Sequence, residues 1–215
     1  MEYVFLAIFI IVTSIHLYAS LKQNKKLRAI SKVFIIPSLI GFYLMMAPVI
    51  NWYIFVALVL SFLGDVFLIL NGIKWFTIGG ISFMIGHAFF IVGYSVVTDF
   101  SVIPWWVIIP LAVIFMVLTF FIFRALKPYL PKPLFYPMAL YLVINGLMNC
   151  FAIYRLIANP YIGSILTAIG ALLFFASDSS LFFVRFKKDS FFQTHFFIML
   201  TYSIGEFLII LGMIL

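Results

Sequence analysis

Residues 51–70 read NWYIFVALVLSFLGDVFLIL, a run that is apolar on every side apart from Asn51, Ser61 and a lone carboxylate at Asp65. Coiled as a helix, such a run covers the ~30 Å of hydrocarbon in a bilayer. A strand of a membrane barrel would alternate apolar and polar positions, and this stretch does not. It reads as a transmembrane helix with one costly residue in it. Runs of the same kind recur at 3–20, 33–48, 75–97, 102–123, 134–154, 161–183 and 194–214. Over the 215 residues, 67% are hydrophobic and 9% charged, a balance that excludes a water-soluble domain. The expectation is an all-α polytopic membrane protein with eight spans. Residues 1–215 form a single transmembrane domain, because no connection is long enough to fold by itself.

The net charge of +7 would point to nucleic acid in a soluble protein. Here the basic residues sit in short connections, so they report membrane orientation and anionic headgroups, with no nucleic-acid partner. Lys22, Lys25, Lys26, Arg28 and Lys32 follow the first span, and Lys74 follows the third. Arg124, Lys127 and Lys132 follow the fifth; Arg185, Lys187 and Lys188 follow the seventh. These loops share one side and leave Arg155 alone on the other. By the positive-inside rule that side is cytoplasmic, and both termini are non-cytoplasmic. The first run has basic residues after it instead of before it, so it is expected to stay as a helix and not act as a cleaved signal. Trp52, Trp75, Trp105 and Trp106 fall at span ends, as interfacial anchors do, and the phenylalanines are expected to be mainly lipid-facing.

Ile85-Gly86-His87 with Gly93 in the fourth span matches Ile204-Gly205-Glu206 with Gly212 in the eighth. The third and seventh spans hold Asp65 and Asp178. Two parallel four-helix repeats would explain this, and the shortness of the matches leaves chance open.

A charge placed mid-span costs about 2.5–3.5 kcal/mol on insertion scales, so an intramembrane acid is by default a functional candidate. Asp65 and Asp178 both lie ~8 Å inside the boundary on the basic side, at matching depth. His87 and Glu206 lie nearer the midplane. Ala57, Ser61, Asp65 and Ile69 share one helical face; Thr167, Ala171, Phe174, Asp178 and Arg185 share another. Gly79, Gly86 and Gly93 make a smooth stripe for a neighbouring helix. Tyr202 is placed to hydrogen-bond Glu206. His195 and His16 read as unremarkable interfacial residues, and the single cysteine, Cys150, as a small packing residue that excludes an internal disulfide.

No nucleophile elbow, zinc-protease motif, phosphate-binding glycine loop or cysteine cluster is present, so neither a metal nor a cofactor is expected. What remains is carboxylate chemistry. Two carboxyls sharing a low-dielectric cleft cannot both ionise cheaply, so the pair offers an acid and a base. A substrate cleaved through an oxocarbenium ion would suit it, and a lipid could enter sideways from the bilayer. Lys32, Lys74 and Arg185 at that membrane face are candidates to hold a lipid phosphate. The alternative is a small proton- or cation-coupled transporter using Asp65, Asp178, His87 and Glu206 as its path.

Leu63-Gly64-Asp65-Val66-Phe67-Leu68, Gly86-His87 with Tyr94, Gly170-Ala171-Leu172-Leu173-Phe174 leading to Ser177-Asp178, and Arg185-Phe186 resemble the YhhN family of membrane lysoplasmalogenases. Tyr141, Met148 and Ala152, together with Lys32 and Tyr202, fit the same pattern. The resemblance implies hydrolysis of the vinyl-ether bond of a lysoplasmalogen to a fatty aldehyde and a glycerophospho-ethanolamine or -choline. It also implies that Asp65 and Asp178 are essential, with Ser61, Ser177, His87, Tyr94, Tyr141, Tyr202 and Glu206 as supporting residues. The substrate would be a lysophospholipid drawn from the bilayer. One departure is Gly205-Glu206, where Gln is expected, which adds an acid near the site. The absence of a glycosylation sequon is compatible with a bacterial plasma membrane, with the site near the cytoplasmic leaflet.

Overall fold

Among the described residues the chain forms eight α-helices: α1 (Glu2–Leu21), α2 (Lys25–Met46), α3 (Trp52–Ile69), α4 (Ile73–Ser95), α5 (Trp105–Leu126), α6 (Phe135–Ala158), α7 (Ile162–Phe182) and α8 (Phe196–Ile214). The computed structural model describes residues 2–187 and 195–215, and among these there is no strand. All eight helices are long and apolar enough to cross a membrane. Lys188 lies outside the described residues.

The boundaries follow local chemistry. Asn24 and Asn51 begin α2 and α3 by accepting the backbone N–H of Leu27 and Tyr53 on their side chains. The cap at Asn24 starts α2 at Lys25, two turns before the expected 33, so its basic residues ride on the helix instead of in a loop. The tight connection from α3 to α4 turns at Gly72 with φ +112°, a conformation closed to most side chains. At the end of α7 the chain continues as a π-helical turn over Phe183–Lys187, which carries Arg185.

Helix contacts define the architecture. The series α1, α2, α3, α4, α6, α7, α8 forms a ring, closed where α8 packs on both α1 and α2. The remaining helix, α5, lies outside this ring against α6 and buries little beyond Phe115, Thr119 and Leu126. Two antiparallel pairs pack most closely, α3 with α4 and α7 with α8. A Cβ on Gly86 would stand 3.3 Å from the Ala57 carbonyl oxygen, and one on Gly205 only 2.9 Å from that of Gly170. The glycines of the two matched motifs thus do the same work, bringing α4 onto α3 and α8 onto α7.

Of the described phenylalanines, Phe9, Phe42, Phe83, Phe90, Phe115, Phe174 and Phe182 are buried, and the others are partly or fully exposed. One expectation changes at this level: Arg155 does not sit in an outer connection. It occupies the last turn of α6, 3% exposed, and donates to the Thr167 hydroxyl (2.5 Å), the Tyr161 hydroxyl and the carbonyls of Gly163 and Gly212. Oxygens from α7 and α8 therefore stand in for water around a buried guanidinium. Trp52, Trp105 and Trp106 are exposed at helix starts, and Cys150 packs with Ile103, Phe115 and Tyr154.

Candidate functional site

At the end of the ring where the basic residues gather, a cavity of about 630 Å³ opens between α1, α2, α3, α4, α7 and α8. Its upper wall carries Lys25, Arg28, Arg185 and His195. Deeper in are Lys32, Asp65, Asp178, Ser177, Tyr202 and Phe83. Asp65 from α3 and Asp178 from α7 therefore face one space, although they lie 113 positions apart in the chain.

The two carboxyls are held differently. Asp65 is 1% exposed; Lys32 Nζ lies 3.0 Å from its Oδ1, and the Tyr202 hydroxyl donates to Oδ2 at 2.9 Å. Lys32 reaches it from α2 and Tyr202 from α8, so three helices meet at this carboxylate. Asp178 is bonded by neutral groups of α6: the Tyr141 hydroxyl at 2.5 Å and the Asn145 amide at 2.8 Å, both to Oδ2. His87 Nε2 stands 3.7 Å from the same oxygen, beyond hydrogen-bond length, and neither ring nitrogen has a partner. Every one of these contacts falls on Oδ2, and Oδ1 of Asp178 takes none of them.

Aromatic rings close the floor. Phe83, Phe174 and Tyr202 contact one another edge to face, with centroids 5.3 to 6.3 Å apart. The His87 ring lies against Phe174 at 4.9 Å and Tyr141 at 5.4 Å. Arg185 stacks over Phe76 at 5.3 Å from the ring centroid, which turns its guanidinium toward the mouth. Ser177 ties α7 to α8 by donating to the Ile198 carbonyl at 2.9 Å.

Of the residues singled out in the sequence, Asp65, Asp178, Lys32, Arg185, Ser177 and Tyr202 line the cavity, and Tyr141 and His87 adjoin Asp178. Ser61, Tyr94 and Glu206 lie deeper in the ring and do not line it. Lys74 is exposed, sits beside the Trp75 ring and also takes no part in the wall. Tyr202 bonds Asp65 and not Glu206.

Asn145 was not singled out, yet Tyr141, Asn145 and Asn149 recur every fourth position inside an apolar helix, which is a readable polar stripe. His16 and His195, read as unremarkable, both line the cavity, and His16 Nδ1 is 2.9 Å from the Ser31 hydroxyl. Burial, with Arg28 and Lys32 nearby, holds the His195 imidazole below its usual range, at about 4. At neutral pH it adds no charge to the mouth. Among the described residues no group of His, Cys, Asp or Glu is arranged to hold a metal ion.

A polytopic helical membrane protein with two buried carboxyls in one intramembrane cavity is the class that this fold and site define. Residues 27–213 match the model of the YhhN family, and the chain belongs to that family. No curated protein and no solved structure shows significant similarity to it.

Proposed function

We propose that the protein is a lysoplasmalogenase that hydrolyses the vinyl-ether bond of a lysophospholipid by paired-aspartate catalysis. The observation that carries this reading is the single cavity shared by Asp65 and Asp178, with a cationic mouth above it. Membership of the YhhN family is compatible with it. Arg28, Arg185 and Lys25 offer donors to the lipid phosphate; Lys32 is engaged with Asp65 and serves that carboxylate instead.

Asp178, whose partners are neutral, is the acid. With Oδ2 occupied by Tyr141 and Asn145, its proton sits on Oδ1 and is delivered to the vinyl-ether carbon one bond away from the ether-bearing carbon. The C=C electron pair takes the proton, and the ether-bearing carbon becomes an oxocarbenium ion. Asp65, anionic beside Lys32, accepts a proton from the water that attacks this carbon. The hemiacetal then breaks its bond to the glycerol oxygen, which leaves protonated, and the fatty aldehyde is released. One water is consumed, and the proton returns from Asp65 to Asp178 over the cycle.

Purified protein is expected to release aldehyde from lysoplasmalogen, and Asp65→Asn and Asp178→Asn are each expected to lower kcat about 10²–10⁴-fold, the usual worth of a general acid or base. Full activity in either variant would end the two-carboxylate mechanism. The transporter reading draws on the same acids. It predicts cation or proton flux in proteoliposomes without aldehyde release, and the placement of both aspartates toward one end of the ring speaks against it.

A further inference from the structure

Beneath the aromatic floor, six buried residues carry polar atoms with no hydrogen bond of ordinary length among the described residues, although the Ser61 hydroxyl faces the Glu206 carboxyl. They are Ser61 on α3, His87 and Tyr94 on α4, Asn149 on α6, and Ser203 and Glu206 on α8. Each is at most 2% exposed. Both carboxyl oxygens of Glu206 and both ring nitrogens of His87 are among these atoms. Buried polar groups without partners are rare, because leaving one unsatisfied in an apolar interior costs as much as a lost hydrogen bond. A cluster on four helices calls for a common partner.

The geometry limits what that partner is. Ser61 and Glu206 lie one helical turn below Asp65 and Tyr202, so they repeat the α3–α8 pairing of the site at a deeper level. Tyr94 lies farther in, between Glu206 and the Arg155 cluster. His87 is the group that reaches back to Asp178. The set mixes donors and acceptors and is dominated by neutral groups. A ligand that both donates and accepts, and is small enough for a closed space, is water.

We propose that these six residues form a second, buried water-binding site behind the cavity, which supplies the nucleophilic water of the hydrolysis. The inference rests on the reading of the protein as a lysoplasmalogenase. A lysolipid seated with its phosphate on Arg28 and Arg185 plugs the mouth through which bulk water enters, yet each turnover consumes one water. Water held below Phe83 and Phe174 reaches the oxocarbenium ion from behind the substrate. Glu206 is then a positioning residue: it holds water and does not touch the reacting atoms.

Radiolytic hydroxyl labelling of the full chain in lipid nanodiscs tests the site without substrate. Tyr94, which is fully buried, is expected to be modified as strongly as an exposed tyrosine such as Tyr136, because the radical forms from adjacent water. Steady-state kinetics test the role. Glu206→Leu is expected to lose Tyr94 labelling and to lower kcat at least ten-fold with KM unchanged, while Glu206→Gln restores most of the rate. Unlabelled Tyr94 in the wild type, wild-type kcat in Glu206→Leu, or a rate that depends on sodium ions overturns the proposal. Labelled Tyr94 in a protein that releases no aldehyde instead retires the hydrolase reading and, with it, the catalytic role, while the hydrated site stands.

Discussion

Asp65 and Asp178 show how partners, not residue type, distinguish two buried carboxyls that share a cavity. A buried carboxylate is stabilised in its charged form by a cation held against it, and loses that support when the cation is removed. Asp65 has that cation in Lys32, whereas Asp178 has a phenol and an amide. His195 carries the residue-scale prediction. Its native pKa of about 4 lies below the ordinary 6.5, chiefly through burial and then through Arg28 and Lys32. Between those two values the unfolded chain takes up a proton that the native chain does not, so this residue lowers stability as pH falls through the window and has no effect above it. Asn tolerates the left-handed backbone at this position, φ +56°. The thermal midpoint of the wild type in detergent is therefore expected to fall more steeply from pH 6.5 to 4.5 than that of His195→Asn. Parallel curves would assign the acid sensitivity elsewhere.

At the scale of elements, the glycine-packed pairs hold the carboxyls at their depth. A Cβ on Gly205 would come within 2.9 Å of the Gly170 carbonyl oxygen, so α7 and α8 must separate to admit it. Gly205→Ala is expected to cost about 1–3 kcal/mol, as overpacking does. Gly80→Ala, on α4 with nothing within 4 Å of the new methyl, should gain up to about 1 kcal/mol from helix propensity. Thermal unfolding of the two variants side by side measures the contrast, and equal midpoints would refute it. The spans themselves were legible, because a bilayer demands long apolar runs and the chain supplies eight. Their ends were less so. Hydropathy dates the start of α2 by its first apolar turn, but the helix begins where Asn24 caps it. Arg155 looks like a loop residue until the oxygens of Tyr161, Thr167 and Gly212 are known to surround it.

At the scale of the molecule, the two aspartates could be matched in depth from the sequence, because depth follows from counting residues along each helix. That they face one cavity could not, because it depends on the order of helices around the ring. The step from α4 to α6, which leaves α5 outside, has no signature in hydropathy. The same dependence hid His16 and His195, each ordinary in its own segment and significant only beside another, whereas Asn145 was readable as part of a polar stripe on α6. Orientation is the remaining whole-molecule property, and it is set by charge. The helix ends and connections bearing Lys22, Lys25, Lys26, Lys74, Lys127, Lys132 and Arg185 meet at the cavity end, so that end is expected to face the cytoplasm. With Cys150→Ser the chain has no cysteine, and single cysteines can be placed at Lys22 in the first connection and at Val97 in the fourth, both exposed. A membrane-impermeant maleimide added to intact cells is expected to label Val97→Cys and spare Lys22→Cys until the membrane is opened. The reverse pattern would put the cavity mouth outside, and the lysolipid of the proposed reaction would then have to come from the opposite leaflet.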